Sequence, residues 1–296
     1  MRSDCSMWVA GESRRVARGA QANIKRTTQS GNVGCLQLHK AGEESELRRP
    51  LEHHSNTMAG RTRPTSPPVG KLPFNILVVD VGGTNVKLRA TGQKRLVRIP
   101  SGQSMSPRQM MSAIRPETAG WNAQAVSVGV PSIVLHGRIL HEPRNLGKGW
   151  VGFDFGKAFR LPVKVINDAA MQALGSYQGG RMLFLGLGTG LGSAFIVDGR
   201  LEALELAHLR YRENCTYEDY VGARALERLG LKEWSDHVSL IVKHFTKVLG
   251  ADYVVLGGGN AQKLTELPPK CLMGDNENAF VGGFRLWEYI GANLGY

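Results

Sequence analysis

Asn75–Leu88, NILVVDVGGTNVKL, decides how the chain is read. Four β-prone apolar residues, Ile76, Leu77, Val78 and Val79, run without a break into Asp80. Gly82, Gly83, Thr84 and Asn85 follow, and a second β-prone run resumes at Val86. An unbroken apolar run bounded by turn residues is the pattern of a strand buried on both faces. Adjacent glycines behind it let the backbone turn tightly and approach a ligand closely, since no Cβ intervenes. Amides exposed in such a turn suit an anion, usually a phosphate. Taken alone, a Gly-Gly pair reads more readily as hairpin geometry. Here the design is repeated. Gly186 lies 106 positions beyond Asp80 in LFLGLGTGLGSAFIVDGR, residues 183–200, where an apolar run meets Gly188, Thr189, Gly190 and Gly192 and resumes as a strand. Duplicated strand–glycine turn–strand units predict an α/β protein with two phosphate loops facing one cleft.

At 296 residues the chain is long enough for two modest lobes with their own cores, assigned to 73–167 and 168–296. The formal charge is +12, and half of it, +6, falls within residues 1–72. That opening segment has scattered apolar residues and a single aromatic, Trp8, and ends in the linker-like RTRPTSPP at 61–68. It reads as a basic, disordered tail, with Met58 placed where an alternative start would fit. The +6 left for the body is a mild excess, compatible with a polyanionic partner. Four cysteines without CxxC spacing give no cysteine-based metal site, and their sparseness reads as a cytoplasmic protein. No apolar run approaches the roughly 18 residues of a membrane span.

From Phe74 the texture is that of alternating strands and helices. Strands are expected at 75–80, 85–90, 95–99, 125–130, 163–166 and 251–256. Helices are expected at 106–118, with Ser106 as N-cap and Pro107 at the first position, and at 152–160, 169–177, 217–229 and 233–249. The C-terminal GGFRLWEYIGANL is expected to be helical and to pack Trp287, Tyr289 and Ile290. Residues 142–151, EPRNLGKGWV, form a glycine-rich loop.

Two segments carry chemistry. Asn167-Asp168 lies where a strand gives way to a helix, the carboxyl end at which α/β enzymes bind their ligands. Asp168 is expected either to cap that helix or to act as a general base that takes a hydroxyl proton during phosphoryl transfer. Glu205-Leu-Ala-His208 places a carboxylate and an imidazole three residues apart; two ligands leave a zinc site incomplete, whereas both groups accept well from sugar hydroxyls. Lys87 reads as a strand residue facing solvent.

DVGGTNVK, the loop with Asn145, the Asn167-Asp168 pair, LGTGLGSA and ELAH together resemble the ROK family of sugar kinases. TYEDYVG at 216–222, GGGN at 257–260 and AFVGGFRLW at 279–287 are similar, more narrowly, to the polyphosphate glucokinases and glucomannokinases of that family. The resemblance covers about 74–290 and implies an actin-like (ribonuclease H-like) two-lobed sugar kinase fold with the sugar between the lobes. It implies that Asp168 takes the proton of the sugar 6-hydroxyl while Asn145, Asn167, Glu205, His208 and Glu218 hold the other hydroxyls. Asp80 would sit near the donor phosphates and Mg²⁺, with Gly82, Gly83, Thr84, Asn85, Gly188, Thr189 and Gly190 cradling the phosphates. Gly257, Gly258 and Gly259 would lie against the nucleoside or phosphate chain. The sequence departs from the family twice. Residues 209–218 hold only Cys215 where most members carry a cysteine-rich zinc motif, so no zinc is expected. Gly129-Val-Pro-Ser132 has serine where the family usually has glycine, adding a side chain near the sugar wall.

The expectation is therefore a kinase that phosphorylates glucose, or mannose, at the 6-hydroxyl from ATP or inorganic polyphosphate with Mg²⁺. The resemblance also implies a homodimer; no nucleic-acid or membrane partner is expected. Rival readings are a sugar-sensing regulator, which would need a DNA-binding domain that residues 1–72 do not resemble, and an inactive sugar-binding protein. The latter would have no use for Asp80, Asp168 or the glycine turns.

Overall fold

The computed structural model describes residues 75–288; the expected tail, Tyr289 and Ile290 lie outside the described residues. The chain opens with β1 (Ile76–Val81), β2 (Asn85–Ala90) and β3 (Val97–Pro100), followed by α1 (Pro107–Thr118) and β4 (Ala125–Val130). A two-stranded ribbon, β5 (Val134–Leu135) and β6 (Arg138–Ile139), precedes α2 (Phe155–Phe159), β7 (Val163–Asn167) and α3 (Asp168–Ser176). The second half repeats the plan with β8 (Arg181–Leu187), β9 (Leu191–Val197) and β10 (Arg200–Leu204). A small ribbon of β11 (Arg210–Arg212) and β12 (Cys215–Thr216) leads to α4 (Glu218–Val221) and the long α5 (Ala223–Leu249). The described chain closes with β13 (Tyr253–Gly257), β14 (Cys271–Met273) and α6 (Asn278–Arg285).

Two five-stranded sheets result, ordered β3-β2-β1-β4-β7 and β10-β9-β8-β13-β14. In each, three strands form an antiparallel meander, and two further strands add in parallel beyond the first. The duplication read in the glycine turns thus extends to whole sheets. β1 and β4 are buried at every residue, as unbroken apolar runs require when both faces are covered.

One face of the first sheet packs on α1 and on Trp150 and Phe155, and one face of the second packs on α5. Between the sheets lie α3 and α6, whose core mixes Ile76 and Val78 of β1 with Met182 and Phe184 of β8. Glycine makes this layer thin. A Cβ on Gly175 of α3 would strike the Asn278 carbonyl, and one on Gly282 of α6 would strike the Met171 carbonyl, so the helices cross at backbone contact.

Local signals hold where they were read. Ser106 caps α1 in a reciprocal box with Gln109, and Pro107 fills the first position. Gly230, at φ 75°, breaks α5 between the two expected helices, and Gly250 ends it in the left-handed region. The first of those helices, expected over 217–229, is itself divided at Gly222, whose extended backbone separates α4 from α5. Three expectations need correction. The helix at 152–160 is only Phe155–Phe159, because Asp154 rather than an earlier residue caps it. The C-terminal helix starts earlier and ends at Arg285, with Trp287 beyond it donating from Nε1 to the Ser127 hydroxyl at 2.8 Å. Strands β10, β11, β12 and β14 were not foreseen: β10, β11 and β14 are mostly exposed, and β12 is only two residues long.

Candidate active site

The hairpin register of β1 and β2 sets Lys87 directly opposite Asp80. Their side chains pair, Nζ to Oδ2 at 3.2 Å, with Asp80 only 4% exposed. Burial raises the Asp80 pKa above the usual carboxylate range, and the Lys87 charge and hydrogen bond oppose that rise. Lys87 therefore does not simply face solvent as expected; it is the counter-charge of a buried acid. The turn beyond is tied down at its base: the Gly82 amide donates to the Asn85 carbonyl at 3.0 Å, and the Ser101 hydroxyl to the Gly82 carbonyl at 2.6 Å. Asn145 backs it, since a Cβ on Gly83 would lie 3.0 Å from the Asn145 Cβ. Thr84 is exposed at the tip.

In the second hairpin the same register position pairs Gly186 with Gly192. The Gly188 amide donates to the Gly190 carbonyl at 3.1 Å. Glu218, the first residue of α4, accepts from the Leu191 amide at 3.3 Å, and a Cβ on Gly190 would strike that carboxylate. Behind the turn stands the third glycine segment. Gly258, at φ 82°, rests on the backbone of Leu187, and Asn260 donates from its backbone to the Leu187 carbonyl and from Nδ2 to the Gly188 carbonyl at 3.0 Å. Gly257 lies against the Phe184 ring, while space opens beside Gly259.

Asp168 sits where β7 becomes α3, and the N-cap is Asn167, not Asp168 as one reading expected. Asn167 Oδ1 accepts from the Ala170 amide at 2.9 Å, and its Nδ2 donates to the Ser132 carbonyl at 3.2 Å. Asp168 is the first helical residue, with Oδ1 accepting from the Ala169 amide at 2.9 Å. The cap is thus provided by its neighbour, which leaves the acid available for chemistry. Burial first, then the Asp80 charge and more weakly Glu205, push its pKa up to about 7, against the hydrogen bond from the Ala169 amide. Elements converge on it because small residues allow them to. Gly129 of β4 faces the Asp168 Cα, and a Cβ on Gly192 of β9 would lie 2.7 Å from Ala169.

Glu205 precedes a 3₁₀ turn, Leu206–His208, as its N-cap residue, and His208 lies within electrostatic reach of it. The Ser193 hydroxyl pins the segment, donating to the Leu204 carbonyl at 2.8 Å and accepting from the Leu206 amide at 3.2 Å. Burial raises the Glu205 pKa and Glu218 adds to the rise; His208, Arg144 and His141 oppose it. Glu205, His208 and Glu218 are thereby electrostatic neighbours, and Glu205 also reaches Asp168. The Ser132 hydroxyl donates to the His141 carbonyl at 2.6 Å, so the departure from glycine there ties two loops together. Arg144, Nη1 3.9 Å from Glu218 Oε1, was missed although it adjoins Asn145 in the loop singled out from the sequence.

Among the described residues no three His, Cys, Asp or Glu side chains cluster as a metal site. Asp80 alone suits a Mg²⁺ that takes the rest of its shell from phosphates and water. Where the family's cysteine-rich segment would fall, Tyr211 stacks on Tyr217 with ring centres 4.9 Å apart, and its hydroxyl meets His237 Nδ1 at 3.2 Å.

No family model matches the chain. Polyphosphate glucokinase of Mycobacterium tuberculosis (strain CDC 1551 / Oshkosh) is 25% identical over 228 residues, 64% of this chain and 80% of that protein. The crystal structure of the inorganic polyphosphate/ATP-glucomannokinase of Arthrobacter sp. strain KM superposes with a TM-score of 0.63 at 28% identity, covering 73% of this chain and 99% of the other. A ROK family glucokinase of Streptomyces griseus, solved with glucose and AMPPNP, shares the fold at 17% identity, with a TM-score of 0.56 and coverage of 72% and 98%. The fold is the actin-like fold of the ROK sugar kinases, and the chain is similar to polyphosphate glucokinases among them.

Proposed function

We propose that the chain is a sugar kinase of the hexokinase type, transferring a phosphoryl group from polyphosphate or ATP to the 6-hydroxyl of glucose, with mannose as a second acceptor. The observation that carries this reading is Asp168: a buried acid with a pKa of about 7, first in α3 behind the Asn167 cap, with one oxygen held by the Ala169 amide and the Asp80 charge within reach. A sugar hydroxyl becomes a competent nucleophile only as its proton leaves, and a base with that pKa accepts it at neutral pH. In this reading Asp168 takes the proton of the 6-hydroxyl. Asn145, Glu205, His208 and Glu218 hold the remaining hydroxyls, and Asn167 contributes the hydrogen-bonding capacity that its cap leaves over.

The donor phosphates lie across Gly82–Asn85 and Gly188–Gly190, with Gly257–Gly259 along the remainder of the donor. Asp80 is the residue that would hold Mg²⁺, which when bound neutralises charge on the donor phosphates. Lys87 opposes the rise that burial imposes on the Asp80 pKa and holds the carboxylate by its hydrogen bond. The sugar cleft divides lobes assigned to 73–167 and 168–296, and the chain acts in the cytoplasm as a homodimer.

The test is one set of parallel assays on purified protein with Mg²⁺. Glucose, mannose and N-acetylmannosamine are offered with ATP or polyphosphate; the last sugar is included because an N-acetylmannosamine kinase of Citrobacter koseri is 28% identical over 144 residues. Formation of glucose 6-phosphate supports the reading. Transfer to N-acetylmannosamine alone would reassign the acceptor, and no transfer from either donor to any sugar would overturn it.

A further inference from the structure

The loop 142–151 is more firmly built than its glycine content suggests. Glu142 accepts from three successive backbone amides, those of Gly149 at 3.1 Å, Trp150 at 3.0 Å and Val151 at 3.4 Å, and so closes the loop on itself. Trp150 is fully buried and donates from Nε1 to the Met105 carbonyl at 3.2 Å. The Gly147 amide donates to the same carbonyl at 3.0 Å, and Gly147 has no room for a Cβ beside Ser104. Leu146 is buried with them. With both ends and one side fixed, the part left projecting is Arg144-Asn145. These neighbours reach different turns: Asn145 lies on Gly83 of the first, and Arg144 faces Glu218, which backs Gly190 and Leu191 of the second.

Glu205 and Glu218 present like charges to each other, and both are asked to accept hydrogen bonds from sugar hydroxyls. A carboxylate accepts through both oxygens only while ionised. Two acids in one site disfavour each other's ionisation unless a cation stands nearby. Facing Glu205 are His208 on its own turn, Glu218 on α4, Arg144 and His141 from the loop region, and Asp168 on α3. Of these only Arg144 is a permanent cation. We infer that Arg144 is a positioning residue, carried across the site by the Glu142-braced loop, whose guanidinium offsets the Glu205–Glu218 repulsion and steadies Glu218 against the second glycine turn.

This inference rests on the sugar-binding reading for its consequence, but its structural part can be measured without substrate. Arg144 has a side chain 74% exposed, so R144A removes an interaction without opening a cavity. In the full chain without ligands, hydrogen exchange over residues 188–192 is expected to quicken in R144A, because the Leu191 amide is the donor to Glu218, while the melting temperature holds. Unchanged exchange there would overturn the inference. With sugar and donor, R144A should raise the sugar KM by about two- to fivefold at neutral pH, the size of an exposed ion pair, with kcat nearly constant. The rise should steepen as pH falls, beginning at higher pH than in the wild type, since Glu205 then protonates more readily. R144K should recover most of the loss. E142Q keeps one acceptor oxygen and should show a weaker version of the same pH-dependent defect. A sugar KM that R144A leaves unchanged across pH would overturn the inference. If the wild-type chain transfers phosphate to no sugar, the sugar-kinase reading falls, while the exchange measurement still decides whether Arg144 positions Glu218.

Discussion

The two glycine hairpins share a backbone plan and part most sharply at the second register position from the turn. In the first, Asp80 faces Lys87; in the second, Gly186 faces Gly192. The first pair buries a charge behind the turn, while the second removes both side chains. That emptiness is used, because Ala169 at the start of α3 occupies the space beside Gly192. A charge pair in the second hairpin would push α3, and Asp168 with it, out of the cleft. A glycine pair in the first would leave that turn without the buried acid to which the proposed function assigns the metal. The two turns are similar, and the difference at this one pair assigns electrostatics to one and close packing to the other.

The largest effect is expected at the residue the second hairpin admits. Asp168→Asn keeps the shape and cannot take a proton, so turnover should fall by roughly 10²–10⁴. The melting temperature should hold, since Asn167 provides the cap. In the wild type, kcat/KM should rise with pH until the acid is ionised, near 7, and that limb should vanish in the variant. Asp168→Asn retaining more than about a tenth of the turnover, with chemistry rate-limiting, would remove Asp168 from the base role.

Next comes the charge pair of the first hairpin. Lys87→Met strips the counter-charge from a carboxylate that is nearly fully buried. Asp80 should then protonate more readily, and kcat/KM for the donor should drop by about ten- to a hundredfold, the cost of one charged hydrogen bond. Lys87→Arg should retain more. Donor kinetics unaffected by Lys87→Met would return Lys87 to the role of an ordinary strand residue.

Third is the packing in the second hairpin. Gly192→Ala places a Cβ 2.7 Å from Ala169, so β9 or α3 must move. Overpacking of this kind costs about 1–3 kcal/mol, and for a domain of this size each kcal/mol lowers the melting temperature by roughly 2–4 °C. Calorimetry decides it: a melting temperature matching the wild type would show that α3 is not held by this contact.

How far these roles could be read from the sequence follows from the same comparison. The strands, the turns and the repeated plan were legible because buried runs such as Ile76–Val79 leave a plain signal and glycines bound them. The sheets' shared topology was only partly legible, because β10 and β14 are short and exposed and lack a periodic pattern. The position of Asp168, where β7 gives way to α3, was legible from the strand pattern before it. Its release from capping was not, since Asn167 and Asp168 are both good caps and helix starts blur by a residue. Lys87 was misread because its role comes from hairpin register, fixed by a four-residue turn rather than by composition. Arg144 was missed for a related reason: its partner Glu218 is 74 positions away, across the cleft.

The smallest effect is expected at Gly188, and it separates two reasons for a glycine. Gly192 lacks a side chain because α3 is in the way. Gly188 has nothing within 4 Å of where a Cβ would stand, and its backbone lies outside the left-handed region. Neither fold packing nor conformation therefore requires glycine there. By chain entropy alone, Gly188→Ala should stabilise the protein slightly, by about 0.4–1 kcal/mol. If the open space is kept for the donor, the added methyl should instead be felt on binding. The donor KM should rise severalfold while the melting temperature stays level or climbs, with the sugar KM unchanged. The opposition of those two signs is what makes the variant informative, because damage to the fold would lower stability and activity together. A donor KM equal to that of the wild type would mean that the second turn does not approach the phosphates, and that the cradle is built from the charged first hairpin alone.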